Sequence, residues 1–260
     1  MSRPSRTLAI LDLFTQQRPI WTIDDITTAL GYTRPTAYRY IKQLLVAGLL
    51  QKTGAGKYAL GARFIQIDYQ IRQSDPVLLA SIPIMSALAK ALDINVLLSE
   101  MFGYQVINVH HVGGPEDNLP FPHSRGRPRP LFRGAAPKIM LAYMPRASLV
   151  RLYEERAVEI DANGMGGTWT EFRKYLSAIR RDKFYFSVGE VEPDVAAAAV
   201  PVFNDENEAV AALSLVGTTR EFEAVGKDKA RSSLTVAAKQ IQVELVSVLA
   251  RLPHRHAELA

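Results

Sequence analysis

The sequence contains no cysteine, which excludes disulfide bonds, thiolate nucleophiles, iron–sulfur clusters and cysteine-ligated zinc. It also lacks any run of about 18 consecutive apolar residues, so we expect no membrane-spanning helix and no membrane partner. Residues Met1 to Ser5 lack the charged start and apolar core of a signal peptide. These absences predict a soluble, cytoplasmic protein.

What is present is an ordinary globular composition with an uneven charge. Hydrophobic residues make up 48% and charged residues 22% of the 260 residues, and a chain of this length is expected to form two domains. The first 63 residues carry nine Lys or Arg and three Asp, whereas the remainder carries 22 basic and 23 acidic residues. Chance can produce such asymmetry, but it also predicts a basic module for a polyanion joined to a near-neutral module with another task.

The basic stretch has the pattern of a helix-turn-helix. An amphipathic helix is predicted over residues 5–17, and a short second helix is predicted to start at Thr22 and end at Gly31. A third helix begins at once, with Thr33 as its cap and Pro35 in its first turn. Its predicted buried stripe is Ala37, Ile41, Leu44 and Leu45.

The opposite face of the third helix carries side chains suited to DNA. Arg39 can donate two hydrogen bonds to a guanine edge, and Tyr38 and Lys42 can hold phosphate. Two short strands after this helix predict a hairpin wing with Lys52 and Lys57 beside its tip. Any one of these residues alone is more simply a solvated surface residue, but together they favour double-stranded DNA as a partner. The predicted DNA contacts are Thr33, Arg34, Pro35, Thr36, Tyr38, Arg39, Lys42, Lys52 and Lys57.

Four segments resemble the winged-helix domain of the IclR family of bacterial transcription regulators: RTLAIL (6–11), GYTRPTAYRY (31–40), GLL (48–50) and KYALG (57–61). The Tyr-x-Leu-Gly end of the wing is the most specific, and the similarity continues to about residue 250. The resemblance implies an α+β chain. Its parts would be a winged helix-turn-helix (1–63), a linker helix (64–75), an effector-binding GAF-like antiparallel sheet flanked by helices (76–252) and a C-terminal tail (253–260).

The segment PLFRGAAPK (130–138) leads into a helix rich in small and apolar residues. Small residues let a ligand approach the backbone, free amides at a helix start favour an anion, and Arg133 can pair with a carboxylate. Tight packing of a helix on a sheet also requires small residues, and the pattern alone does not separate the two interpretations. The resemblance favours a ligand, and it implies an effector pocket lined by Arg133, Gly134, Ala135, Ala136, Ser187, Ala197, Ser214 and Val216.

The chain departs from the family pattern at positions that bear on the ligand. Pro137 stands where the family usually has glycine, which removes one backbone N–H at the helix start. Lys183 also replaces a frequent glycine. Ala197 stands where the family often has cysteine or another polar residue, so the less polar wall suits an aromatic acid better than a small keto acid.

Candidate catalytic or metal-binding residues are few. His110 and His111 are adjacent in a predicted strand, so they point to opposite faces and cannot easily bind one metal ion. Glu190, Glu192 and Asp194 alternate, but no histidine has a matching spacing, and an exposed turn is the favoured interpretation. We therefore expect no catalytic residues, no metal site and no cofactor.

These observations predict a transcription regulator, not an enzyme, in which a small organic acid controls operator binding. A homodimer or tetramer is expected, because one recognition helix reads too few bases for specificity. Two alternatives stay open: a metabolic enzyme with a nucleic-acid-binding tether, and an architectural DNA-binding protein whose second domain only oligomerises.

Overall fold

The computed structural model describes residues 5–113 and 125–251, so the tail predicted at 253–260 lies outside the described residues. The chain divides into two compact units, Met1–Ser74 and Asp75–Ala260. The first unit opens with a 3₁₀ helix over Leu8–Leu13, and the longer amphipathic helix predicted there is wrong. Only Ile10 of this segment is buried, and Thr7 makes no capping hydrogen bond, so little packing energy is available to hold a full α-helix.

The helix-turn-helix forms where it was predicted. Helix α1 (Ile23–Leu30) begins at a capping box between Thr22 and Asp25. It ends at Gly31, whose φ of 65° is a left-handed conformation that glycine adopts without a Cβ clash. Three residues, 31 to 33, separate α1 from helix α2 (Arg34–Val46).

The wing is a small antiparallel sheet that completes the first unit. Its strands are β1 (Trp21–Thr22), β2 (Leu50–Gly54) and β3 (Lys57–Leu60), in the order β1-β3-β2. Tyr58 and Leu50 bring the sheet into the core formed by the apolar sides of α1 and α2. Helix α3 (Arg63–Ser74) is the last element of the first unit, and none of its residues is buried.

The second unit contains one six-stranded sheet with helices on both faces. Its helices are α4 (Pro76–Leu92), α5 (Ala135–Tyr143), α6 (Arg146–Ala162), α7 (Trp169–Asp182), α8 (Thr219–Val225) and α9 (Lys227–Arg251). Its strands are β4 (Asn95–Phe102), β5 (Gln105–Val112), β6 (Pro128–Arg129), β7 (Tyr185–Val188), β8 (Val195–Phe203) and β9 (Ala209–Thr218). The order is β6-β5-β4-β9-β8-β7, and all neighbours are antiparallel. The predicted α+β fold is confirmed.

The two faces of this sheet bury different sets of side chains. Leu98, Ala198 and Leu213 face α4 and α9 in one core. Residues one position away along the same strands face α5, around which α6 and α7 pack in a second core. Because both faces are covered, β8 and β9 are almost continuously apolar.

Two helices differ from the sequence-based expectation. Helix α8 was not predicted, although Thr218 and Glu221 form a capping box that is readable as Thr-x-x-Glu in the sequence. The sequence pattern predicts a helix over 148–156, but helix α6 continues to Ala162 past a kink at Arg156. No single helix in the described part of the chain combines the length and apolar composition needed to cross a membrane.

Candidate functional site

The predicted DNA contacts lie on the surface of the first unit. In α2, Ala37, Ile41 and Leu44 are buried in the core, and the predicted contacts on the opposite side face outward. Eight of the nine are exposed and Thr36 is half-buried. The exposed ones are Thr33, Arg34, Pro35, Tyr38, Arg39, Lys42, Lys52 and Lys57. A basic helical face and a basic wing are therefore both accessible to a phosphate backbone.

Local contacts hold the start of α2. Arg34 forms an ion pair with Asp24 of α1, with 3.4 Å between the Arg Nη1 and the Asp Oδ1. Thr33 occupies the N-cap position, but its side chain makes no capping bond to the backbone and instead donates to Thr36 Oγ1 at 2.9 Å. The guanidinium of Arg39 lies 5.1 Å from the centre of the Tyr40 ring, within cation–π range.

The carboxylate of Asp25 anchors the preceding helix. Hydrogen bonds from Thr22 and then from Arg18 lower the pKa of Asp25 to about 2, and the Arg18 guanidinium lies 2.6 Å from its Oδ1. The capping carboxylate is therefore ionised at neutral pH, and its negative charge interacts favourably with the positive, N-terminal end of the α1 dipole.

In the second unit, a small cavity lies between the sheet and the start of α5, with a volume of about 40 Å³. The structure brings together all eight residues that the resemblance assigned to a pocket: Arg133, Gly134, Ala135, Ala136, Ser187, Ala197, Ser214 and Val216. The strand register explains this, because Ser187 is opposite Ala197 on the next strand and Ala197 is opposite Val216. Alternation along each strand then directs these side chains to the same face.

The cavity has an apolar wall and a polar corner. Leu97, Val195, Ala197 and Val216 pack together as the apolar wall. In the polar corner, the buried Ser99 hydroxyl donates to Asn108 Oδ1 at 2.9 Å. Ser99 and Asn108 were not predicted, since their roles depend on the pairing of β4 with β5.

The start of α5 is occupied by a carboxylate of the protein itself. The Gly134 N–H donates to Glu190 Oε2 at 2.8 Å, and Lys138 Nζ lies 2.8 Å from the same oxygen. The Lys138 side chain is only 4% exposed and that of Glu190 is 23% exposed. The interpretation of Glu190 as part of an exposed turn is therefore wrong, although Glu192 and Asp194 are exposed. Sequence spacing could not reveal the contact because 56 residues separate Gly134 from Glu190.

Two tyrosines extend this network. Tyr185 donates its hydroxyl to Glu190 Oε1 at 2.9 Å and accepts from Lys138 Nζ at 3.0 Å. Its hydroxyl is also 2.7 Å from that of Tyr175, which must act as the donor in this pair. Burial raises the pKa of Tyr185 well above its usual range, and its bonds to Tyr175 and Glu190 add to the effect. Tyr185 thus remains a protonated donor that fixes the Glu190 carboxylate.

Two arginines line the cavity in different environments. Arg133, which was predicted, is exposed, whereas Arg129 on β6 is half-buried. Burial lowers the pKa of Arg129, the nearby Arg127 lowers it further, and Glu192 opposes the change. An arginine keeps its charge after such a shift, so Arg129 is a partly desolvated cation beside the cavity. Among the residues that the structure describes, no three His, Asp or Glu side chains are grouped closely enough to hold a metal ion.

Comparison with known proteins identifies both units. The model of the IclR helix-turn-helix domain matches residues 4–54, and that of the bacterial transcriptional regulator IclR C-terminal domain matches residues 70–243. The HTH-type transcriptional regulator KipR of Bacillus subtilis is 26% identical over 220 residues, which cover 84% of this chain and 86% of that protein.

Two solved structures share the fold. A putative IclR transcriptional regulator from Silicibacter has a TM-score of 0.74 at 22% identity, covering 92% of this chain and 94% of its own. An IclR homolog from Microbacterium hydrocarbonoxydans complexed with 4-hydroxybenzoate has a TM-score of 0.71 at 19% identity, covering 93% of this chain and 98% of its own. Since the C-terminal model alone matches more than half of the sequence, this chain belongs to the IclR family of bacterial transcriptional regulators.

Proposed function

We propose that this regulator responds to a small organic acid of the aromatic class, which binds in the cavity beside α5 and controls operator binding by the winged helix. The observation that carries the proposal is the cavity itself. Its lining includes the eight residues assigned from the family resemblance, and it lies within the part of the chain that matches the family's C-terminal domain.

The lining supports an aromatic ligand over a small keto acid. Leu97, Val195 and Val216 offer apolar contacts, and Ala197 adds no polar atom from its side chain. The Microbacterium homolog, which has the same fold, is complexed with an aromatic acid, 4-hydroxybenzoate. A few polar groups in a mostly apolar pocket are typical of small-molecule sites.

The cavity volume supports a coupling between binding and conformation. About 40 Å³ is far less than the ~150 Å³ of an engineered cavity that binds benzene. An aromatic effector therefore requires the walls to separate, and it binds the opened arrangement with higher affinity. Such a difference in affinity between two arrangements is what allows a ligand to shift an equilibrium.

Operator recognition is proposed to use the basic face of α2 and the wing. Arg39 reads base edges, whereas Lys42, Lys52 and Lys57 neutralise phosphates. Two copies of the chain would bind paired half-sites about 10 base pairs, or a multiple of that distance, apart.

The effector proposal is tested by filling the cavity. Thermal unfolding of the wild type should shift upward with benzoate or 4-hydroxybenzoate, by about 2.7 kcal/mol of stabilisation at a hundredfold excess over Kd. Ala197→Phe should abolish the shift because its ring occupies the ligand's space. The matched control Val188→Phe changes an exposed position on β7 and should keep it.

An equal shift in the Ala197→Phe variant would contradict binding in this cavity. The same acids should alter the affinity of the wild type for a DNA fragment selected from a random pool. Binding without any effect on DNA affinity would favour the architectural alternative, whereas chemical turnover of the acid would favour the enzyme alternative.

The DNA interface is tested with Arg39→Ala and Lys42→Ala. Arg39→Ala should lower affinity for the selected DNA by about 1–3 kcal/mol, and Lys42→Ala should reduce the slope of log affinity against log salt by about 1. Lys90→Ala, an exposed position on α4 in the second unit, removes the same charge and should change neither quantity. If both first-unit variants behave like Lys90→Ala, this face does not contact DNA.

A further inference from the structure

We propose that Arg129, on the edge strand β6, holds the carboxylate of the effector, while Glu190 already fills the anion site at the start of α5. The inference rests on the proposed function of the cavity. It assigns a role to a residue that neither the helix pattern nor the family resemblance had indicated.

The start of α5 is a poor site for a second carboxylate. Its Gly134 N–H and the Lys138 ammonium are both bonded to Glu190. Pro137, the third residue of the helix, has no N–H to offer. A ligand carboxylate placed there would meet the negative charge of Glu190 in a partly buried environment, where repulsion is only weakly screened.

The register of the sheet directs Arg129 to the cavity. Arg129 is paired with Val106 across β6 and β5, and Val106 is fully buried. Residues directly opposite each other in an antiparallel pair lie on the same face, and Asn108, two positions further along β5, also lies on it. Arg129 therefore lies on the face of the sheet that packs against α5, the same face as the polar corner formed by Asn108 and Ser99.

The environments of the two arginines favour Arg129 over Arg133. Arg133 is exposed, so pairing it with a ligand exchanges water contacts for a weak, screened interaction. Arg129 is half-buried and lines the cavity, and this burial lowers its pKa. The Arg129 guanidinium has therefore lost part of its hydration before the ligand enters. A bidentate pair between it and a carboxylate then contributes more binding free energy than a pair with an exposed arginine.

This arrangement specifies the ligand class further. One carboxylate is held at Arg129, and the apolar body lies against Leu97, Val195 and Val216. A second anionic group elsewhere on the ligand would approach Glu190. The cavity should therefore prefer aromatic monocarboxylates over their neutral amides and over aromatic dicarboxylates.

Calorimetric titration of the full-length protein with three probes tests the assignment: 4-hydroxybenzoate, 4-hydroxybenzamide and terephthalate. The wild type should prefer the acid over both other compounds. Arg129→Gln should lower affinity for 4-hydroxybenzoate by about tenfold to a hundredfold, the range for a lost hydrogen bond to a charged group, and leave the amide almost unchanged. The matched variant Arg133→Gln should keep the acid-to-amide ratio within about threefold, as expected for an exposed ion pair.

The outcomes separate this inference from the function on which it rests. If the wild type binds no acid, both the proposed effector function and the Arg129 assignment are wrong. If it binds 4-hydroxybenzoate but Arg129→Gln keeps the wild-type ratio, or Arg133→Gln loses it, only the Arg129 assignment is overturned. Arg129→Lys, which retains the charge but loses the planar fork, should bind the acid with intermediate affinity and serves if the glutamine variant does not fold. Wild-type affinity in Arg129→Lys would also overturn the assignment.

Discussion

The two candidate sites of this regulator are built in opposite ways. The proposed DNA interface is the outer face of one helix and the tip of one hairpin, and its side chains are almost all exposed. The proposed effector cavity is partly enclosed, with a lining drawn from all six strands of the second unit's sheet and from the start of α5. A DNA duplex is too large to enter a protein and binds to an exposed surface, whereas a small acid binds in a cavity that contacts most of its surface. Local sequence is therefore informative about the first site, and long-range pairing decides the second.

The same contrast appears in the charged groups. In the first unit, Arg34 and Asp24 form an ion pair whose side chains are 61% and 69% exposed. Such pairs contribute about 0–1 kcal/mol, because water and salt screen them. In the second unit, the Lys138 side chain is buried, and the carboxylate of Glu190 compensates its positive charge. Removing one partner of a buried pair leaves an uncompensated charge, which makes the second unit far more sensitive to single substitutions.

The largest expected effect on stability follows from removing the carboxylate that pairs with Lys138. Glu190→Ala should lower the free energy of unfolding of the second unit by about 3–5 kcal/mol, because the Lys138 charge is left unpaired. Asp24→Ala should cost the first unit less than about 1 kcal/mol. Urea denaturation of each variant measures both losses, and similar losses would remove the contrast between the units.

A double variant separates charge from packing. Lys138→Met with Glu190→Gln removes both charges, yet the glutamine can still accept from the Gly134 N–H. This variant should recover most of the stability lost in Glu190→Ala. A double variant as unstable as the single one would mean that the carboxylate geometry, not charge compensation, holds this site.

A second prediction concerns two carboxyl groups whose pKa values move in opposite directions. Burial, with a smaller effect from Asp75 and an opposing one from Arg125, raises the pKa of Glu100 to about 7, and its Oε1 has no partner among the described residues. The folded state then binds the Glu100 proton more tightly than the unfolded state, so stability falls as pH rises from about 4.5 to 7. Asp25 has a lowered pKa, so its contribution is present above about 4 and is lost as pH falls toward 2.

Glu100→Gln should therefore be more stable than the wild type at pH 8, by at most about 2 kcal/mol once partial solvent screening is allowed for. The difference should shrink toward pH 5. Asp25→Asn should lose stability relative to the wild type at pH 7, with a smaller difference at pH 3. Thermal unfolding across this pH range measures both trends, and a pH-independent difference for Glu100→Gln would show that the group is ionised throughout.

The smallest expected effect compares two capping boxes of the same type. Thr22→Ala at the start of α1 and Thr168→Ala at the start of α7 each remove one side-chain cap, and each should cost about 1 kcal/mol. Only Thr22→Ala should also weaken DNA binding, because α1 supports α2. Equal effects of both substitutions on DNA affinity would contradict the assignment of recognition to the first unit.

Prediction from sequence succeeded where one periodicity or one turn residue decided the structure. The apolar stripe of α2 and the left-handed Gly31 follow from nearest neighbours along the chain. The pocket residues Ser187, Ala197 and Ser214 came from family resemblance, since no local pattern connects them. Glu190 was misassigned for the same reason, because its partners Gly134 and Lys138 lie on another element.

The sequence by itself determined the family, the helix-turn-helix and its exposed basic face, since each depends on composition, spacing or short motifs. Only the tertiary structure decided which carboxylate occupies the start of α5, which arginine is desolvated and which polar side chains form the corner of the cavity. These depend on sheet register and burial, which bring together residues such as Asn108, Arg129 and Glu190. Burial also sets how strongly their charges interact, and no local pattern specifies it.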